Sequence, residues 1–232
     1  MKKAFTFMEV MIAMAIIGFI TTMVLPIFFN TYGNKVASAQ LKKACTQIIN
    51  AAKHIMTDER SQDMESLTSD FESDAGKGFY FTSAGVKTSN AEQGAQYFLE
   101  KYFRHTNTNC GSGGSGECVA PAYRTPDNVE LGTIPNDFYC IKTVNDSAIC
   151  MRYKESRAKT EVLIDVNGTD KPNITGSDVY VMWITDDGQL RDLDEHEENC
   201  NKASSIDEES IVRHAAGCFH KIVAKSWNMR EE

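Results

Sequence analysis

Residues Met1–Asn30 read MKKAFTFMEVMIAMAIIGFITTMVLPIFFN. A basic head, Lys2-Lys3, is followed by a small residue, Ala4, and then by an apolar stretch interrupted once, at Glu9. From Val10 to Phe29 there are 20 residues and no charge. A helix rises about 1.5 Å per residue, so this run covers about 30 Å, the thickness of a bilayer's hydrocarbon core. It therefore predicts one N-terminal membrane helix with the rest of the chain on one side. An ionised carboxylate at the centre of a bilayer costs about 2.5–3.5 kcal/mol, so an acid in such a segment marks a function and needs a partner.

Three readings compete for this segment. A cleaved secretory signal has an apolar core of about 7–15 residues and a small-residue cleavage site after it. Here the run is longer, and it ends in Asn30-Thr31-Tyr32-Gly33. A plain anchor with a cytoplasmic Lys2-Lys3 head satisfies the positive-inside rule. The third reading uses the stretch Lys2-Lys3-Ala4-Phe5-Thr6-Phe7-Met8-Glu9. It resembles the class III signal of type IV pilins and of the pseudopilins of type II secretion. The resemblance implies that prepilin peptidase cuts between Ala4 and Phe5, on the cytoplasmic side, and that Phe5 is then N-methylated. Ala4 departs from the Gly usual before the cut. Glu9 stands four residues after Phe5, as the family's acid does, and Gly18 and Pro26 fall where the family weakens its helix. Implied partners are identical or related pilin subunits in a helical filament, the peptidase that also methylates, and an inner-membrane assembly platform. The implied location is the bacterial inner membrane with a cytoplasmic N-terminus, and afterwards a periplasmic or extracellular filament.

The chemistry suits that reading. Cutting after Ala4 leaves an α-ammonium on Phe5, and methylation keeps its charge. In a filament that ammonium can meet Glu9 of a neighbour; in the membrane Glu9 can pair with its own Phe5, one turn away. A buried charge pair in an apolar seam fixes register, the best-attested role of such pairs. Pro26 lacks an N–H, and Gly18 costs a helix about 1 kcal/mol, so the two bracket a weak stretch.

Downstream, Val36, Leu41, Ala44, Cys45, Ile48, Ala52 and Ile55 recur at helical spacing among Lys42, Lys43, Gln47 and Lys53. This predicts an amphipathic helix over 31–58, broken from the membrane half at Pro26 and softened at Gly33, with its basic face solvated. Residues 59–137 read as a loop region containing a short helix, Ala91–Arg104, whose Tyr97, Phe98, Tyr102 and Phe103 are core candidates. From 138 to 190 the period changes to two. Phe138–Val144, Ser147–Tyr153, Thr160–Val166 and Asp178–Thr185 read as strands, the first two joined at Asn145-Asp146 and the last ended by Asp186-Asp187-Gly188. Residues 191–232 read as a tail. In segment terms the chain is a leader (1–4), a membrane and polymerisation helix (5–30) and a globular part (31–232). The expected class is α+β, a long helix laid on an antiparallel sheet with disulfide-stapled loops; this is also the fold that the pilin resemblance implies.

Seven cysteines in an exported domain read as disulfides. The simplest pairing is Cys110–Cys118 around the Gly/Ser-rich GSGGSGE, Cys140–Cys150 across the hairpin and Cys200–Cys218 in the tail, leaving Cys45. Connectivity stays open, since six cysteines allow 15 arrangements. Zinc is disfavoured because the chain has no Cys-x-x-Cys. The link from Asp165 to Asp178 resembles a loop common in pilin-like sequences; clustered oxygens at Asp165, Asn167, Asp170 and Asp178 are candidates for Ca²⁺, which prefers carboxylate and carbonyl oxygens. No EF-hand pattern is present, and a turn-rich connector built on Asx turns is the alternative.

The net charge of −8 argues against non-specific nucleic-acid binding. No nucleophile–His–acid arrangement or phosphate-binding Gly loop occurs, so no enzyme is expected and no cofactor is required. The opposed reading is a membrane-tethered enzyme or binding domain that does not polymerise.

Overall fold

The computed structural model describes residues 6–58, 62, 64, 91–107, 110, 113, 117–157, 159–203, 205–225 and 227, with the side chains of 24–34, 91–94, 97, 107 and 155 left out. Ala4, Phe5 and most of the 59–90 loop lie outside the described residues, as does most of GSGGSGE.

Phe7–Asp58 form one helix, α1, of 52 residues. Its C-terminal half is anchored by Leu41, Ala44, Cys45, Ile48, Ala51, Ala52 and Ile55, all at most 5% exposed. Their three- and four-residue spacing puts them in one stripe. The expected break at Pro26 and softening at Gly33 do not occur: the backbone stays helical through Gly18, Pro26 and Gly33. Proline's fixed φ is itself near the helical value, and the cost is one backbone bond within a cooperative run of helix formers.

Helix α2, Ala91–Tyr102, ends two residues earlier than the sequence pattern suggests. It buries Phe98 and Leu99 completely, and Phe98 packs its ring 5.6 Å from those of Tyr102 and Phe103. Tyr102 donates to the Asp58 carboxylate (2.9 Å), which ties α2 to the end of α1.

Among the described residues the main sheet has six strands: β1 (His105–Asn107), β4 (Tyr139–Thr143), β5 (Ala148–Lys154), β6 (Lys159–Asp165), β7 (Val179–Ile184) and β8 (Leu190–Asp192). They lie in the order β1-β4-β5-β6-β7-β8, and every neighbouring pair is antiparallel. β2 (Tyr123–Arg124) and β3 (Glu130–Gly132) form a separate ribbon. The four strands expected from the sequence are β4–β7, each within one or two residues. β1 and β8 extend the sheet beyond 138–190 on both sides.

Register explains why both sheet faces are apolar. The cross-strand set Ile149, Ile164 and Tyr180 alternates with Cys150, Leu163 and Val181. The first set joins the α1, α2 and Met64 core, and the second joins Tyr123, Leu131, Phe138 and Ile211 on the opposite face. A sheet covered twice has nearly continuous apolar strands, as β5 to β7 do.

The expected tail is structured. Ser210–Ala215 forms α3 and Cys218–Ala224 forms α4. Asp192, 95% buried, accepts from the N–H groups of Gly217 and His220, both at 2.7 Å, and so caps the start of α4 from a distant strand. Gly217 has φ +82°, and a Cβ there would lie 2.5 Å from the His196 carbonyl oxygen, so only glycine fits this turn. Disulfides join Cys110–Cys118, Cys140–Cys150 and Cys200–Cys218, while Cys45 is free and buried.

Candidate functional site

Helix α1 begins with a capping box. Glu9 accepts from both the backbone N–H and the hydroxyl of Thr6 at 2.8 Å, and its own N–H reaches Thr6 Oγ1 at 3.3 Å. Thr-x-x-Glu before an apolar run is the sequence signature of this motif, and it satisfies two helix-end donors reciprocally. Sequence reasoning singled out Glu9 but missed Thr6, although the spacing was legible. The acid expected to meet an ammonium is thus held one turn from the helix start by its own neighbour. Phe5, its expected second partner, lies outside the described residues.

From Thr6 to Met23 every residue is exposed, with Phe7 at 81% and Met23 still at 60%. Among the described side chains, the first buried ones along α1 are Ser38 and Leu41. The exposed arm is apolar along its length, and its hydroxyls are spent internally: Thr21 donates to the Ile17 carbonyl (2.7 Å) and Thr22 to that of Phe19 (2.8 Å). Such back-bonding is how hydroxyls survive in an apolar surrounding. At Gly18 an added Cβ would meet nothing within 4 Å, so any packing need there comes from outside the monomer. Among the described residues no helix is long and apolar enough to cross a membrane. In the sequence the apolar run continues to Phe29, through residues whose side chains are not described.

Residues 1–25 match the prokaryotic N-terminal methylation motif. This motif is the prepilin processing signal of type IV pilins and pseudopilins, and it coincides with the bare arm and its capping box. It points to a structural precursor rather than an enzyme, to processing by prepilin peptidase, and to assembly with other pilin subunits. No curated protein and no solved structure matches the chain.

The second site is the β6–β7 link. Asp165 is fully buried; it accepts from Tyr123 (2.6 Å) and from the N–H groups of Asn167 (3.2 Å) and Gly168 (2.9 Å). Asp178 accepts from the N–H groups of Asn173 (2.6 Å) and Ile174 (2.5 Å). Burial pushes the two carboxyls up to about 8 and about 6, against the pull of those hydrogen bonds. Gly168, at φ +62°, brings its backbone so close to Asp146 that a Cβ would lie 2.4 Å from that carbonyl oxygen. Two buried amide oxygens here, Asn167 Oδ1 and Asn173 Oδ1, have no donor. Of the four calcium candidates, Asp165, Asn167 and Asp178 come together, while Asp170 is exposed. Among the described residues no group of three or more His, Cys, Asp or Glu side chains is placed to hold a metal.

Sequence reasoning also missed a charge network on the sheet face opposite α1. Arg152, 1% exposed in its side chain, bonds Glu161 (2.7 Å), Asp137 (2.7 Å) and Glu209 (2.5 Å), and its guanidinium lies 4.3 Å from the Phe138 ring centroid. Arg157 pairs with the fully buried Glu161, and Lys154 with Glu209 (2.6 Å).

Proposed function

We propose that the chain is a pilin-like filament subunit, cut between Ala4 and Phe5, methylated on Phe5 and polymerised through its N-terminal helices. The observation that carries this reading is the methylation motif on an apolar helical arm that no part of the described monomer covers. An uncovered arm of this length needs lipid or other helices around it. A bilayer serves before assembly and neighbouring arms serve after it. Glu9 then passes from its own Thr6 to the terminal ammonium of a neighbour, and the folded domain is a pilin-like head. Pilus fibre, secretion pseudopilus and minor tip subunit are variants of this one reading.

Intact-mass analysis of the N-terminus of protein from its native cell tests it. A chain starting at methylated Phe5 supports the filament reading. Retention of Met1 leaves a tethered enzyme or binding domain instead, and cleavage after Phe29 removes the arm; either result sinks the filament reading. Glu9→Ala is expected to insert normally in the membrane yet to be depleted at least about tenfold from purified filaments; undiminished incorporation would remove the pairing argument.

The two orphaned amide oxygens favour a second, separable reading, in which Asp165, Asn167 and Asp178 bind Ca²⁺ with Asn173 closing the site. The cation would neutralise two buried carboxylates and lock the β6–β7 link.

A further inference from the structure

On a chain with net charge −8, one cleft of about 610 Å³ is lined by four cations, Arg157, Lys159, Lys202 and Arg213. Four segments supply these cations: the turn between β5 and β6, the first residue of β6, the stretch after Cys200, and α3. The Cys200–Cys218 disulfide ties the third of these to α4, so the cleft is preformed. Two of the cations are already neutralised, Arg157 by Glu161 and Arg213 by Asp207. The other two are not: Lys159 sits over the Trp183 ring, 4.1 Å from its centroid, and neither Lys159 nor Lys202 has a carboxylate partner among the described residues. In addition, the buried Nε–H of Arg213 has no acceptor.

The rest of the lining narrows the ligand. Leu193, Ala203 and Ala216 supply apolar surface, while Asp194 and Asn199 place a carboxylate and an amide among the cations. Each Asp194 oxygen already accepts one bond, from His196 N–H (2.9 Å) and from Asn199 Nδ2 (2.7 Å), and each keeps a lone pair for a hydroxyl donor. A bare polyanion would be repelled by Asp194. A neutral sugar would leave Lys159 and Lys202 uncompensated. A ligand with an oxyanion at one end, hydroxyls at the other and a carbon face between them matches all three kinds of surface, and a cleft of this volume holds a molecule of that size.

We propose that this cleft binds an anionic saccharide unit, a sugar phosphate or sugar acid. Lys159 and Lys202 take the oxyanion, Asp194 takes hydroxyls, and Leu193, Ala203 and Ala216 lie under the ring. The site stands whether or not the chain polymerises, because it involves no residue of α1.

The test is calorimetric titration of the full chain in an uncharged detergent with glucose 6-phosphate, glucuronate, glucose and inorganic phosphate. The two anionic sugars are expected to bind with dissociation constants of about 0.1–1 mM, and glucose and inorganic phosphate at least about tenfold more weakly. Lys202→Gln, on an exposed side chain, and Lys159→Gln are each expected to weaken sugar-phosphate binding severalfold, and the pair at least about tenfold. Asp194→Asn should weaken the sugar phosphate while leaving inorganic phosphate equal or tighter. The proposal is overturned if neither anionic sugar binds, if glucose or inorganic phosphate binds as tightly as glucose 6-phosphate, or if the double lysine variant, folded by circular dichroism, binds unchanged.

Discussion

Removing the guanidinium of Arg152 tests what holds the sheet face opposite α1 together. Arg152→Met keeps most of the stem volume and deletes the fork that serves Glu161, Asp137 and Glu209. Glu161 is fully buried and keeps only Arg157, whereas Asp137 and Glu209 are part-exposed and keep Lys154. The cost is thus dominated by Glu161, a buried carboxylate left with one cationic partner of two. Breaking a buried pair from one side costs about 3–5 kcal/mol. With a urea m-value of about 2 kcal/mol/M, the unfolding midpoint should fall by about 2 M. The assay is urea unfolding of the full chain in uncharged detergent, with disulfides intact, followed by Trp183 and Trp227 fluorescence. Arg152→Met/Glu161→Leu should recover at least half of the loss, because replacing both partners by apolar groups is often neutral. A single variant within about 1 kcal/mol of the parent, or a double variant no better than the single, would refute the assignment of the cost to Glu161.

Three further outcomes follow from the same geometry. Burial alone would raise Glu209, but hydrogen bonds from Arg152 and Lys154 outweigh it and bring the carboxyl down to about 2; its folded value is below its unfolded one, so it contributes stability above about pH 4.5 that is lost as pH falls towards 2, and Glu209→Gln should flatten that acid limb in a pH series of melts. Calcium at about 1 mM should raise the melting temperature by a few degrees, reversibly with chelator, and Asp178→Asn should abolish the gain; an unchanged melt would sink the cation reading of the β6–β7 link. Burial pushes the Cys45 thiol up to about 12, so iodoacetamide at about pH 8 should leave the native protein unmodified and alkylate it once in denaturant.

The sequence made α1, α2 and β4–β7 readable because each carries its own period over several residues, and Val179–Ile184 or Lys159–Asp165 need no distant help to look like strands. It did not expose α3 and α4. Six or seven residues are too few for periodicity, and α4 is started by Asp192, which lies 25 residues before Gly217 in the chain. Arg152 and Glu161 were opaque for a related reason: their burial depends on a register that places them opposite each other and on Asp137, Phe138 and Glu209, from other segments, meeting Arg152. At the N-terminal site the acid was legible and its cap was written beside it, since Thr6 to Glu9 is purely local. The anionic-sugar cleft was not legible, because its four cations come from segments that only the fold brings together.

The three disulfides close loops of 8, 10 and 18 residues, and none includes α1, whose one cysteine is unpaired. Pulled along its axis, the arm therefore hands its load to the sheet without any disulfide cross-link. The load passes in shear through the stripe from Leu41 to Ile55, helped by the Tyr102–Asp58 bond. Staples that resist heat and proteases do not strengthen this joint against traction. A fibre of such subunits would have covalently stiffened heads on a greased coupling, and its yield force would be set by a handful of aliphatic side chains.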